Sequence, residues 1–156
     1  MAIRNIIEIG DPVLTKVCKP VTEDSQRIHV LLDDMEETMI DAQGVGLAAP
    51  QVGVMRRAIV VRDGEKILKL INPEIISSEG AVVGSEGCLS IPEVYGDVER
   101  PVKIVVKALN SNFEPIEFEA RDFTARVLCH EIDHLNGELF VNKATNLVYS
   151  DDLGDS

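Results

Sequence analysis

The sequence has few cysteines, few positive charges and no long apolar run. Three cysteines among 156 residues are too few for the disulfide framework of a small secreted protein. No apolar stretch approaches the ~20 residues that cross a bilayer, and the first residues do not resemble a secretory signal. We therefore expect a cytoplasmic protein that contacts no membrane and keeps its thiols reduced.

The charge balance is strongly acidic. Fifteen lysines and arginines against 27 aspartates and glutamates give a formal net charge of −12. Binding to phosphate groups requires clustered cations, so this charge argues against direct binding of DNA or anionic membrane over the whole surface. The rest of the composition, 45% apolar and 27% charged, is that of an ordinary globular protein. Without repeats or linkers, the length predicts a single domain over residues 1–156.

The first helix is predicted over residues 25–41. Apolar residues recur there at helical spacing, with acidic residues between them. Thr22 or Asp24 is expected to cap the helix start, and Gly44 lies just beyond its end. His29 lies between the apolar positions and is expected to be solvated.

The middle of the chain has the pattern of β-strands. Asp63-Gly64 is a strong hairpin signal between the apolar runs 58–61 and 67–71. A second pair of strands is predicted at 103–107 and 116–119, joined by a turn.

A second helix is predicted over residues 122–136, with Asp122 as its N-cap and Gly137 just past its end. The chain thus runs from helix to several strands to helix, without βαβ alternation. This order indicates an α+β fold with antiparallel or mixed sheets. Residues 145–156 are expected to form a frayed tail.

The most specific motif is the H-E-x-x-H segment His130-Glu131-Ile132-Asp133-His134 on the second helix. Residues four apart lie one above the other on a helix, so both imidazoles can reach one metal ion. Glu131 lies beside them and can take a proton from water at such a site. The segment therefore predicts a hydrolytic metal centre, against the alternative of two coincident histidines on an exposed helix face.

An open metal site needs a third protein ligand. Downstream, Glu138, Asp151 and Asp152 are available, and Asp151 or Asp152 would suit a metallopeptidase. Cys88 is the better choice, because it lies in a glycine-bordered break between strands, Glu86-Gly-Cys-Leu-Ser90, that can present a thiolate to a helix.

The other two cysteines are interpreted as structural. Cys129 is adjacent to His130, so its side chain points about 100° away around the helix. It is more simply a small buried apolar residue. Cys18 has no neighbouring motif.

A third segment, Gly44-Val-Gly-Leu-Ala-Ala-Pro-Gln51, has two glycines two residues apart. Glycine permits close approach of a ligand backbone, and the Gln51 amide can donate to an oxyanion. On this evidence alone, a tight turn with a surface glutamine explains the segment equally well.

Together, these three segments resemble the signatures of the peptide deformylase family. Those signatures are G-φ-G-L-A-A-x-Q (φ is apolar), E-G-C-L-S and H-E-x-D-H-L, and they occur here in the same order and with similar spacing. The resemblance spans roughly residues 5–142. It implies an α+β fold packed around a central helix that carries the H-E-x-x-H motif, with one further helix in the N-terminal half. It also implies an enzyme that removes the N-formyl group from the formylmethionine of nascent polypeptides and releases formate.

The resemblance also implies roles for individual residues. It makes Cys88, His130 and His134 the metal ligands and Glu131 the catalytic acid and base. Gln51 and the backbone N–H of Leu89 become the donors to the formyl oxygen. The implied native metal is Fe²⁺, with Zn²⁺, Ni²⁺ or Co²⁺ as possible substitutes.

A methionine pocket is expected beside the metal. By position in the motifs, Val45, Phe123 and Val127 form its walls and the stem of Arg126 its rim, although Phe123 could equally be a core residue. The peptide is expected to lie extended and pair with the backbone of Val45, Gly46 and Gly87 as an added strand. We further expect Glu86 to orient the Cys88 segment through an arginine such as Arg100.

Two departures from the family pattern bear on these expectations. Cys129 stands where many relatives have glutamine. The chain also stops soon after the second helix, whereas some relatives continue into a basic helix that docks on the ribosome. We therefore expect only transient ribosome proximity.

Overall fold

The computed structural model describes residues 2–149 and contains two helices and eight strands in this range. In chain order these are α1 (Gln26–Asp41), β1 (Gly46–Ala48), β2 (Ala58–Asp63), β3 (Lys66–Glu79), β4 (Val82–Cys88), β5 (Ile91–Arg100), β6 (Lys103–Leu109), β7 (Pro115–Arg121), α2 (Asp122–Leu135) and β8 (Thr145–Tyr149). Short 3₁₀ helices lie at Pro12–Thr15, Ala49–Val52 and Phe140–Asn142. Neither described helix is long and apolar enough to span a membrane.

The larger sheet has five strands in the order β1-β2-β3-β6-β7, and each neighbouring pair is antiparallel. The β2–β3 hairpin closes at the pair Asp63 and Lys66. Gly64 lies in its turn with φ of 62°, a left-handed conformation that glycine adopts without steric cost. The β6–β7 hairpin closes at Leu109 and Pro115. Both hairpins predicted from the sequence are confirmed.

The smaller sheet has the order β4-β5-β8. β4 and β5 pair from Val82 opposite Arg100 to Cys88 opposite Ile91. The expectation of a frayed tail is wrong for residues 145–149, because β8 pairs with the open side of β5 and so satisfies its backbone groups. The rest of that predicted tail, residues 150–156, lies outside the described residues.

Both predicted helices are present, but their predicted N-caps are wrong. Ser25 occupies the N-cap position of α1, and the Asp24 carboxylate instead pairs with the half-exposed ring of His29 at 2.6 Å. Arg121 occupies the N-cap position of α2. Asp122 is the first residue of that helix, with its N–H donated to Val102 O at 2.8 Å.

The end of α2 is as predicted. Gly137 follows the C-cap residue Asn136 and has φ of 73°. A Cβ at Gly137 would lie 2.5 Å from Thr15 O, so this turn needs glycine for its conformation and for its packing.

The two helices cover opposite faces of the larger sheet. Ala58 and Val60 of β2 pack in one cluster with the apolar side of α1. Ile59 and Val61 pack in another cluster with α2. Alternate residues of a strand point to opposite faces, so β2 is apolar at four successive positions because both of its faces are buried. The architecture is the predicted α+β fold with antiparallel sheets and two helices.

Candidate metal and catalytic site

The two histidines of the H-E-x-x-H segment lie on one side of α2, near its C-terminal end. His130 and His134 are one helical turn apart, and their ring centroids are 5.1 Å apart. Both residues are buried. Burial lowers the pKa of His134 to about 3, so its imidazole is neutral and its nitrogen lone pair is available to a metal.

Cys88, the last residue of β4, brings a sulfur to these imidazoles. Its Sγ lies 3.3 Å from Nε2 of His134. Within residues 2–149, Cys88, His130 and His134 form the one group of potential ligands that offers three donor atoms within 4.8 Å of one another. A cysteine sulfur and two histidine nitrogens suit Fe²⁺, Zn²⁺, Ni²⁺ or Co²⁺, so the residues present fit a divalent transition metal.

The alternative third ligands are not in this group. Glu138 is half-exposed at its side chain and pairs with Lys143 at 3.3 Å. Asp151 and Asp152 lie outside the described residues. Cys129 and Cys18 are buried in the core beside α2, in agreement with a structural role. Burial raises the pKa of the Cys129 thiol to about 11, which keeps it protonated.

A buried carboxylate orients the first histidine. Nδ1 of His130 lies 2.9 Å from Oε1 of Glu86, so a proton on Nδ1 leaves Nε2 free to bind a metal. Arg100 donates to both oxygens of Glu86 at 2.8 and 2.9 Å, the contact predicted from the sequence. Burial alone would raise the pKa of Glu86, but the hydrogen bonds from Arg100 and His130 lower it to about 2.

Glu131 is a buried acid that faces the same site. It is 4% exposed, and its Oε1 has no hydrogen-bond partner among the described residues. Burial raises the pKa of its carboxyl to about 7, although the neighbouring His130 opposes this rise. Because a carboxyl that titrates near neutral pH can both accept and donate a proton, Glu131 is suited to general acid and base chemistry.

Gly46 on β1 is the reason Glu131 fits so close to the sheet. A Cβ at Gly46 would lie 2.6 Å from Oε2 of Glu131 and 2.9 Å from Cγ1 of Val127. The second glycine of the 44–51 segment is therefore needed for close packing against the buried acid.

Gln51 is held rigidly beside Cys88. Its Oε1 accepts a hydrogen bond from Ala48 N at 2.9 Å. This bond settles which end of the amide carries the nitrogen, and Nε2 then donates to Ser90 Oγ at 3.0 Å and faces Cys88 Sγ at 3.6 Å. The glutamine is 1% exposed, so the alternative of a surface glutamine is wrong.

The N-terminal segment contacts both loops that carry these groups. Ile7 N donates to Gln51 O at 2.7 Å, and Ile9 N donates to Ser90 O at 2.8 Å. Sequence reasoning missed this connection, because backbone hydrogen bonds between distant segments leave no residue pattern.

A cavity of about 410 Å³ lies between β1, β4 and α2, and Gln51 and His134 are not among its lining residues. Leu89, Cys88, His130 and Glu131 line it, as do all six predicted substrate-binding residues, which are Val45, Gly46, Gly87, Phe123, Arg126 and Val127. Phe123 is 59% exposed, so the alternative of a core residue is wrong for it.

Gly44 and Glu86, both named from the sequence motifs, also line the cavity. Sequence reasoning missed the remaining lining residues, namely Gln43, Ser85, Pro92, Glu93 and Tyr95. The Tyr95 ring packs on β4, where a Cβ at Gly87 would lie 2.8 Å from its Cε1. A larger depression of about 730 Å³ lies beside the start of α1, and none of the predicted site residues lines it.

Comparisons with known proteins agree with this geometry. The profile of the polypeptide deformylase family matches residues 3–149. A peptide deformylase of Thermoanaerobacter pseudethanolicus is 56% identical over 144 residues, which cover 92% of this chain and 91% of that protein. The crystal structure of peptide deformylase from Thermotoga maritima matches with a TM-score of 0.91 and 42% identity, and the match covers 93% of this chain and 99% of that one. A Met-Ala-Ser-bound peptide deformylase from Acinetobacter baumannii matches with a TM-score of 0.88 and 36% identity, over 91% of this chain and 99% of that one.

Members of this family are metal-dependent enzymes, and the described residues include a donor cluster that a metal could occupy. All three matches span nearly the whole chain, with 56% identity to the Thermoanaerobacter relative and a TM-score of 0.91 to the Thermotoga structure. The chain therefore belongs to the polypeptide deformylase family and is an enzyme that removes the N-formyl group from nascent polypeptides.

Proposed function

We propose that Cys88, His130 and His134 hold the divalent metal, which is Fe²⁺ natively and replaceable by Zn²⁺, Ni²⁺ or Co²⁺. The observation that carries this proposal is the group of three donor atoms within 4.8 Å of one another. The hydrogen bond from His130 to Glu86 supports it, because metal-ligating histidines commonly donate their other ring N–H to a carboxylate. When bound, the metal polarises the formyl oxygen and lowers the pKa of water. The helix that carries both histidines, α2, is the central scaffold of this site.

Glu131 carries the proton in the reaction. Its buried carboxylate takes a proton from the attacking water and later delivers it to the amine that leaves the formyl carbon. A pKa of about 7 supports both steps, because neither protonation state is strongly disfavoured at neutral pH.

Gln51 and Leu89 stabilise the charge that develops on the formyl oxygen. The Gln51 amide is aimed by the Ala48 N–H, so its Nε2 is presented beside Cys88 before substrate arrives. The backbone N–H of Leu89, the residue after Cys88, is the second donor. Donors that are already oriented stabilise the transition state without a cost of reorganisation.

The formylated peptide lies between the two sheets. β1 and β4 are both edge strands, so the backbone at Val45, Gly46 and Gly87 can pair with an extended peptide. Val45, Phe123 and Val127 contact the methionine side chain. The exposure of Phe123 in the cavity wall supports this contact, as does the Met-Ala-Ser peptide bound to the Acinetobacter baumannii relative.

The chain acts as one catalytic domain over residues 1–156 and meets its substrates in the cytoplasm. The net charge of −12 disfavours tight attachment to polyanions. We therefore infer transient proximity to the ribosome and no direct binding of DNA.

Metal binding and formate release together test the ligand set. The purified protein, loaded anaerobically with Fe²⁺ or Ni²⁺, is expected to release formate from formyl-Met peptides. Cys88→Ser should lose both metal and activity. Cys129→Ser removes a sulfur next to His130 on the helix and should keep both. Equal metal affinity in Cys88→Ser and the wild type would overturn the proposed ligand set.

A further inference from the structure

Arg126 lies on α2 one helical turn before His130, and its side chain is 10% exposed. The sequence predicts its stem at the rim of the substrate pocket. In the structure Arg126 lines the cavity, and its guanidinium reaches the smaller sheet and the Glu86 carboxylate. A buried guanidinium is costly unless its N–H groups are paired, so its partners define its role.

Those partners lie on β4 and β5. Nη1 donates to Glu86 Oε2 at 2.7 Å and to Val98 O at 2.8 Å, with a longer contact to Gly84 O at 3.4 Å. Nη2 donates to Val82 O at 3.0 Å. One side chain of the helix thus holds backbone carbonyls of two strands and one carboxylate.

Gly84 on β4, which has no side chain, leaves room for the Arg126 guanidinium. A Cβ at Gly84 would lie 2.9 Å from Nη2 and 3.0 Å from Cζ of Arg126. Such distances are too short for ordinary contact, so the guanidinium lies in the space that glycine leaves open on β4.

This link matters because few other side chains join α2 to β4, chiefly His130 to Glu86 and His134 to Cys88. The helix packs mainly against β1 and β2, and β4 has a neighbouring strand on one side only. Yet β4 carries Cys88, while α2 carries His130 and His134. The distance between the two parts of the donor group depends on how β4 is held to α2.

We propose that Arg126 is a positioning residue that sets the distance of β4 from α2, and so the position of the Cys88 sulfur relative to His130 and His134. It acts directly through the β4 carbonyls and indirectly through Glu86, which also bonds His130. This inference rests on the proposed metal ligands.

The test uses Co²⁺ as a probe of the site. Arg126→Met keeps the length of the stem and removes all donors, while Arg126→Lys keeps one charged donor group. Gly84→Ala keeps the arginine but fills its space. Arg121→Met is the matched control, because Arg121 lies at the start of the same helix and its side chain is 59% exposed.

Three measurements separate positioning from a purely structural role. They are the affinity for Co²⁺ against a competing chelator, the thiolate-to-Co²⁺ absorption of the loaded protein, and the melting temperature of the metal-free protein. We expect Arg126→Met to weaken Co²⁺ binding by about 10–100-fold, the range for residues that orient metal ligands, and to alter the absorption. Arg126→Lys and Gly84→Ala should change both quantities in the same direction by less, and Arg121→Met should change neither.

Three results would contradict a positioning role of Arg126. The inference is overturned if Arg126→Lys and Gly84→Ala keep the wild-type Co²⁺ affinity and absorption, and Arg126→Met does so too where it folds. This holds even if the melting temperature of these variants falls. A raised KM for formyl-Met peptides with an unchanged absorption would instead make Arg126 a substrate contact. A wild-type protein without thiolate absorption would overturn the ligand set, and with it the inference.

Discussion

The role of Gln51 can be tested by replacing its amide with a carboxylate. In Gln51→Glu, one oxygen can still accept the hydrogen bond from Ala48 N, which is 2.9 Å long in the wild type. The other oxygen can accept from the Ser90 hydroxyl, which now receives a bond from Nε2 at 3.0 Å. The substitution thus keeps the shape and the local bonds of the side chain. It replaces the N–H beside Cys88 by an oxygen, which carries negative charge when the carboxyl is ionised.

The expected loss follows from that single donor. Removing one preorganised donor to a developing oxyanion costs roughly 2.7–4 kcal/mol, or about 10²–10³ in kcat. We therefore expect kcat/KM for formate release from a formyl-Met peptide to fall by this factor at equal metal content.

A second variant separates activity from stability. Gln51→Met also removes the donor, but it leaves the buried Ala48 N–H without a partner, a cost of roughly 1–3 kcal/mol. Both variants should lose similar activity, while Gln51→Met alone should melt at a clearly lower temperature. A Gln51→Glu enzyme that keeps its metal and loses less than about tenfold in kcat/KM would refute the reasoning.

Three further predictions concern the buried acids and the net charge. Glu131→Gln should keep its metal and lose roughly 10²–10⁴ in formate release, while Glu138→Gln, on the surface, should match the wild type. Burial by itself would raise the pKa of Asp34, but hydrogen bonds from Ala2 N and the Arg4 guanidinium hold the pKa below its usual value. The ionised Asp34 carboxylate therefore stabilises the fold above about pH 4, and this contribution is lost as the pH falls further. Denaturant melts should show that Asp34→Asn is less stable than the wild type at neutral pH. The difference in unfolding free energy should shrink below about pH 4, and a difference that stays constant with pH would contradict this role of Asp34. Co-sedimentation with ribosomes should be weak, and tight, salt-insensitive attachment would contradict the inference from net charge.

Local patterns in the sequence predicted much of the fold. The helical spacing in residues 25–41 and the turn signal at Asp63-Gly64 depend on backbone geometry within a few residues, so a short window of sequence contains them. The strands β4, β5 and β8 were harder to predict. β4 is exposed or half-buried at every position except Glu86 and shows no clean apolar alternation, and β8 forms against a strand about fifty residues away.

The sequence by itself determined that His130 and His134 share one side of a helix with Glu131 beside them, because a spacing of four residues on a helix leaves no other arrangement. Only the tertiary structure decided that the Arg126 guanidinium bonds Glu86, and that Glu86 in turn bonds His130. Those partners are about forty residues apart along the chain, and the packing of a helix against a separate sheet brings them together. Such pairings depend on the whole fold, so no short window of sequence contains them.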